Sequence, residues 1–402
     1  MIATLAVENY RSLRHLIVAL GPLNVVTGAN GSGKSSLYRA LSLLADSARG
    51  GAVAALAREG GLPSTLWAGP ETTGRAVRDG THPVQGTVRG KPVSLRLGFA
   101  EEDFGYAIDL GLPPPSRTPS GTGPGLGSAF RLDPEIKREC TWSGPVLRPA
   151  TLLTDRSATA VRVRDPDGAW YADRDAIRPY DSMLSEYADP QRAPDLLALR
   201  ERIRSWRFYD HVRTDAEAPA RSVRIGTRTP VLGHDGADLA AALQTIREVG
   251  DDDALRTAID AAFPGSRIEV ATEDGRFDLR LHQHGLLRPL RAAELSDGTL
   301  RYLLWVAALL TPRPPALMVL NEPETSLHPD LLSPLADLVV AASAGTQIVA
   351  VTHSRALASA LERGAERDGV DLRTIELVKE FGQTTVADQG RLDEPLWYWP
   401  TR

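Results

Sequence analysis

Residues 28–35 read Gly-Ala-Asn-Gly-Ser-Gly-Lys-Ser, a gapless match to the phosphate-loop pattern G-x-x-x-x-G-K-[ST]. Glycines at 28, 31 and 33 permit backbone turns closed to residues with a Cβ and let main-chain N–H groups approach phosphate oxygens. The nucleotide-binding stretch is expected to be Asn30, Gly31, Ser32, Gly33, Lys34, Ser35 and Ser36. Lys34 would reach the β- and γ-phosphates, and the Ser35 hydroxyl would ligate Mg²⁺. Lysine occurs elsewhere only at 91, 137 and 379, which makes a chance match improbable. The cofactors indicated are ATP and Mg²⁺.

A second constellation stands near the other end of the chain. The apolar strand Ala316 to Leu320 runs into Asn321-Glu322-Pro323-Glu324, where phosphate-loop NTPases place the acid that holds Mg²⁺ and the acid that handles the attacking water. Glu322 is the expected general base. Leu295-Ser296-Asp297-Gly298-Thr299 opens an apolar helix and offers another helix N-terminus to phosphate. The strand Gln347 to Val351 delivers Thr352-His353-Ser354, a histidine where open parallel sheets present ligand groups. Alone, Ser296 would read as an ordinary helix cap and His353 as a hydrogen-bonded core histidine. Their order and spacing with the phosphate loop favour a shared task.

The elements that must position these groups follow from periodicity. Strands are expected at 2–7, 14–20 and 23–27, the last entering the loop, and a helix at 34–46 whose alanine-rich continuation runs toward 57. Arg11, near that sheet edge in sequence, is a candidate nucleotide contact. Alternating apolar and polar residues mark 84–172 as an antiparallel layer, interrupted by a Pro/Gly-rich loop at 111–125. Helices are expected from Met183, over 238–249 and over 253–263, then a hairpin of 267–271 with 277–282. No heptad pattern persists, which excludes a long coiled-coil arm.

The 402 residues, 42% hydrophobic, suffice for a sizeable core, and one cysteine excludes an internal disulfide framework or a thiolate zinc cluster. No run of about 18 apolar residues is present and the N-terminus lacks a basic n-region, so a cytoplasmic protein without a membrane span is expected. The net charge of −5 argues against an overall basic nucleic-acid binder. Locally, Arg192 to Arg228 holds nine arginines against five acids, a patch able to meet DNA.

GANGSGKSS (28–36), LSDGT (295–299), LMVLNEPETSLHP (317–329) and VTHS (351–354) together resemble the ATP-binding-cassette type ATPases of the RecF/SMC branch, in particular compact bacterial ATPases with an AAA-type core. The resemblance covers about residues 1–50 and 285–360 strongly and the middle loosely. It implies an α/β P-loop NTPase of ABC/SMC-head type, with a mixed sheet, an antiparallel layer and a helical subdomain. The domains implied are a discontinuous core of 1–180 and 312–402, with a helical subdomain at 181–311 carrying the signature motif. It also implies an ATP-dependent homodimer in which Ser296 and Gly298 of one chain meet nucleotide on the other. His353 would sense the γ-phosphate, and Thr325 to His328 would run along the interface. Two departures stand out. The magnesium-side aspartate is here Asn321, which lacks the charge and weakens metal binding unless Glu324 or another acid compensates. The glutamine that couples nucleotide to a partner has no match, Gln191 being the nearest.

Three functions from different classes are consistent with this reading: an ATPase of DNA repair or genome maintenance, an ATPase of a phage-defence or toxin-like system with a protein partner, and, least favoured, a transporter subunit. The sequence puts ATP hydrolysis first and leaves the partner open.

Overall fold

The computed structural model describes residues 1–70, 92–114, 130–165, 167–173, 177–210, 212–390 and 392–402. Most of the expected Pro/Gly-rich loop, from 115 on, and His211 lie outside the described residues. The chain forms two compact units, one of Met1–Leu20, Gly28–Ser205 and Ile375–Arg402, the other of Gly21–Thr27 and Trp206–Thr374. The expected boundaries at 180/181 and 311/312 fall inside these units.

In the first unit an eight-stranded sheet runs in the order β2-β1-β4-β5-β6-β7-β8-β9. Its strands are β1 (Ile2–Tyr10), β2 (Leu13–Ala19), β4 (Leu95–Glu101), β5 (Phe104–Gly111), β6 (Glu135–Ser143), β7 (Leu152–Ser157), β8 (Ala160–Arg164) and β9 (Trp170–Asp173). All neighbours pair antiparallel. The antiparallel layer expected at 84–172 therefore also takes in the two N-terminal strands, since Leu97 of β4 registers with Val7 of β1. Within it Arg156 and Glu139 form an ion pair at 3.0 Å, both fully buried. The pair is tolerated because Tyr106 Oη and Met183 N also donate to Glu139.

Helix α1 (Lys34–Ala48) turns Leu37, Leu41 and Leu44 inward, as their spacing requires. It does not continue toward 57 as its alanine content suggests. The N–H groups of Arg49 and Gly51 close back on the Asp46 carbonyl, and the chain restarts as α2 (Ala52–Arg58). Short helices α3 (Leu62–Thr65) and α4 (Met183–Glu186), then α5 (Pro194–Ser205), complete this unit with the hairpin that β18 (Gln383–Val386) forms with Leu377–Glu380 of β17 (Leu372–Glu380). The arginine-rich stretch is thus helical only as far as Ser205. Trp206 then turns inward, and 207–210 and 212–228 hold two short strands, a 3₁₀ turn and irregular chain.

The second unit is built on parallel strands β3 (Leu23–Thr27), β10 (Arg207–Tyr209), β15 (Leu317–Asn321) and β16 (Gln347–Val351), paired β10 to β15 to β16 to β3. Their residues are almost all buried, as expected of parallel strands covered on both faces. Helix α8 (Asp297–Leu309) is buried along its whole length from Leu300. Around it stand α6 (Leu239–Val249), α7 (Asp252–Ala262), α9 (Leu332–Ala342) and α10 (Arg355–Asp368). A smaller sheet joins β11 (Arg224–Ile225), β12 (Arg267–Glu273), β13 (Arg276–His282) and β14 (Leu290–Arg291). Its hairpin turns at Asp274-Gly275, both at positive φ, the two-residue loop that matches strand twist. Among the described residues no helix is long and apolar enough to cross a membrane.

Candidate nucleotide site

In the first unit the loop 28–33 ends on Gly33, which precedes α1 at φ 113. A Cβ at this residue would stand 2.2 Å from Thr384 Oγ1, so glycine is required by both backbone and space. Thr384 buttresses the loop: its Oγ1 donates to the Ser32 carbonyl at 2.6 Å and lies 2.8 Å from Ser12 Oγ. Buried Lys34 crosses the loop, its Nζ donating to the carbonyls of Gly28 (2.5 Å) and Ala29 (3.0 Å).

The loop suits a polyphosphate for two reasons visible in it. No side chain caps α1, whereas Asp251, Ser296 and Ser354 cap α7, α8 and α10. Its first N–H groups thus keep their positive end for an external anion. Ser32 Oγ is also buried with no partner in the protein, a cost that an incoming acceptor would remove. Asn30, Gly31 and Ser35 are exposed around it, and Ser36 is half-buried, the Ser35 hydroxyl lying in the first helical turn where a phosphate-bound Mg²⁺ would draw on it. Arg11 has a partner within the protein. Its guanidinium is engaged by Glu59 at 2.6 Å, and the Tyr10 hydroxyl bonds the same carboxylate, so it braces the loop after β1.

In the second unit the strand ends line up. Val26 of β3 registers with Val351, and Asn321 with Val351 from the other side. Thr352 N donates to Val26 O at 3.0 Å and Glu322 N to Val351 O at 2.8 Å. Thr27, Asn321-Glu322 and Thr352-His353 therefore leave the sheet at one edge, and Thr27 is bonded directly to Gly28.

At this edge Glu322 holds φ 48, a left-handed conformation costing a residue with a Cβ on the order of 1–3 kcal/mol. Its Oε1 lies 3.2 Å from His353 Nε2, both side chains part-exposed at 46% and 37%. A carboxylate so paired can take a proton from a water while the imidazole faces the same solvent. Glu324 does something else. Its Oε1 accepts from Thr352 Oγ1 (2.6 Å), His353 N (3.0 Å) and Ser354 N (3.1 Å), fixing the backbone that carries His353. Between the two acids the Pro323 carbonyl accepts from Trp305 Nε1 at 3.0 Å. Asn321 Nδ2 donates to Asp210 Oδ1, which stands at the end of the neighbouring strand.

The signature turn is exposed at Ser296, whose Oγ caps α8 by accepting from Thr299 N at 3.2 Å. Gly298 is required by closeness, since a Cβ there would meet the Ser326 carbonyl at 2.8 Å. Arg221 clamps the turn: its guanidinium donates to the carbonyls of Ala292 and Leu295 and to Asp297 Oδ1 at 2.7 Å. Thr325, Ser326 and His328 are exposed beside it. Gln191 lies in the first unit on the exposed turn before α5, its N–H bonded to Asp189.

The family model described as AAA domain, putative AbiEii toxin, Type IV TA system matches residues 23–359. The chain belongs to this family. The AAA-domain core spans the phosphate loop, the signature turn and both acids, as the motifs led one to expect. No curated protein matches the sequence. Among solved structures, an SMC head bound to the C-winged helix domain of ScpA shares 12% identity with this AAA-family chain, over 96% of this chain and 97% of that one, at a TM-score of 0.50. The SMC head domain of Thermotoga maritima shares 13% identity over 96% and 98% of the two chains, at a TM-score of 0.44. The likeness is one of fold, and it makes this chain a P-loop ATPase fold of SMC-head type.

Sequence reasoning missed Asp210, Arg221, Trp305 and Thr384. Asp210 carried a signal, because Phe208-Tyr209-Asp210 is a short apolar run ending in an acid, like Leu320-Asn321-Glu322. The others act through carbonyls and close packing, which leave no spacing to read.

Proposed function

We propose that this protein is an ATP-binding, slowly ATP-hydrolysing switch that forms an ATP-sandwiched homodimer. The observation that carries the reading is Glu322, held at positive φ against His353 at one end of the parallel strands. Strained conformations persist where the surroundings over-determine them, and an acid so held is poised to act on water. Lys34 and the uncapped start of α1 hold the phosphates; Mg²⁺, when bound, supplies neutralisation of their charge. Ser35 is the loop residue whose hydroxyl would hold it. Ser296 and Gly298, exposed or half-exposed on the signature turn, serve the nucleotide of a second copy, which places binding energy in association.

Of the biological settings, genome maintenance is the reading that the SMC-head fold supports. The family description, which names a putative toxin of a Type IV toxin–antitoxin system, favours a second: an ATPase of a defence or toxin-like system acting with a protein partner. The arginine-rich stretch offers DNA less than its composition suggested, because Arg202 pairs with Glu101, Arg213 with Asp215 and Arg221 with the signature turn. ATP turnover of the wild type and of Lys34→Ala, measured with no nucleic acid and with single-stranded and duplex DNA, tests both. Lys34-dependent turnover establishes the switch. Stimulation by DNA selects the first setting, and its absence together with growth arrest on expression selects the second.

A further inference from the structure

The residue at the magnesium-side position of β15 is an asparagine, yet a carboxylate stands beside it. Asp210 directly follows β10, and the parallel register of Tyr209 with Leu320 carries it to the place next to Asn321. There Asn321 Nδ2 donates to Asp210 Oδ1, which fixes the amide with its Oδ1 turned away from the carboxylate. The other acids of this edge have different partners. Glu322 faces His353, and Glu324 Oε1 is taken by three donors at the start of α10. Glu324 Oε2, by contrast, is buried without a hydrogen-bond partner, so Glu324 stays the rival carboxylate against which Asp210 is tested.

We propose that the charge absent from β15 has moved one strand over, and that Asp210 is the carboxylate serving nucleotide-bound Mg²⁺, with Asn321 as its positioning residue. The inference rests on the ATP reading above. Mg²⁺ in nucleotide sites takes one or two carboxylates and completes its shell with phosphate and water. Consistent with that, no group of three or more His, Cys, Asp or Glu among the described residues forms a protein-only metal cage. An ammonium or guanidinium at 210 would be incompatible with this role. An aspartate at 321 beside an intact Asp210 would set two carboxylates against each other, so the single change Asn321→Asp is not expected to improve metal binding.

The test uses the full chain and reads binding, not turnover. A fluorescent ATP analogue is bound with Mn²⁺ titrated as the probe ion, and its metal-free affinity in EDTA reports the integrity of the fold. Asp210→Asn should raise the Mn²⁺ concentration at half-effect about 10–100-fold, the usual cost of losing a metal's carboxylate partner. The exchanged pair, Asp210→Asn with Asn321→Asp, should restore the wild-type midpoint. An unchanged midpoint in Asp210→Asn overturns the assignment. Should that variant not fold, the exchanged pair decides alone: recovery supports the assignment, and a midpoint still displaced overturns it. A wild type that binds the analogue with no dependence on Lys34 would overturn the ATP reading itself, an outcome distinct from the one that overturns Asp210.

Discussion

His353 Nε2 lies 3.2 Å from Glu322 Oε1, each residue just past the end of a neighbouring parallel strand. The backbone of one is fixed by Glu324 and that of the other by Val351, so the sheet sets the backbone positions from which the two side chains meet. Replacing Glu322 with Gln removes the group that accepts a proton while preserving size and hydrogen bonding. Turnover should fall by about 10²–10⁴-fold with ATP affinity retained. Lys34→Ala should instead lose ATP binding. Single-turnover hydrolysis and equilibrium binding check the two; wild-type turnover in Glu322→Gln would remove Glu322 as the base.

The left-handed backbone at Glu322 leads to a second expectation. Glycine relieves the steric cost of φ 48 but adds freedom to the unfolded chain, so the two effects partly cancel. Glu322→Gly should be as stable as the wild type or more stable by up to about 1 kcal/mol, and inactive. Glu322→Val, branched at Cβ, should lose about 1–3 kcal/mol. Denaturant unfolding of the three proteins measures both differences, and equal losses in Gly and Val variants would show that the conformation is not strained.

Association with nucleotide is the third. Because Ser296 is exposed and Gly298 packs its own Cα against Ser326, the turn presents one face outward. Glu322→Gln with ATP should sediment as a dimer, and adding Ser296→Arg should return it to monomer. A monomer at saturating ATP would contradict the sandwich.

The fourth concerns pH. Arg288, and then the N–H of Arg291, hold the Glu294 carboxyl down to about 2 from its ordinary 4.5. Since the folded value is depressed, the stabilisation of this turn ahead of Leu295 is fully present above about 4.5 and is lost as pH falls through about 2. A carboxyl-carbon NMR titration should give that low midpoint, and Arg288→Ala should move it back toward 4.5. A wild-type midpoint near 4.5 would remove the pair as the cause.

Much of this was legible because it is local. The phosphate loop, the strand at Leu23–Thr27 and the helix behind it are dictated by glycine placement and by Leu37, Leu41 and Leu44. The hairpin at Asp274-Gly275 and the cap at Ser296 follow from turn and cap chemistry within a few residues. What stayed hidden is set by pairing between distant segments. That β1 joins the antiparallel sheet depends on its register with β4, and that Asp210 meets Asn321 depends on the register of a three-residue strand. The arginine count misled for a related reason, since composition does not show that Arg202 and Arg221 already have partners.

Helix α8 starts at the signature turn, and two turns later its Trp305 indole grips the Pro323 carbonyl between Glu322 and Glu324. Leu300 to Leu304 between them are buried, so this part of the helix has little room to bend. Such a helix would serve as a push-rod. On the proposed reading, a force applied at Ser296 by a second copy would be delivered, within the same chain, to the peptide next to Glu322. Weakening that grip, as in Trp305→Phe, would leave both ends intact and uncouple them.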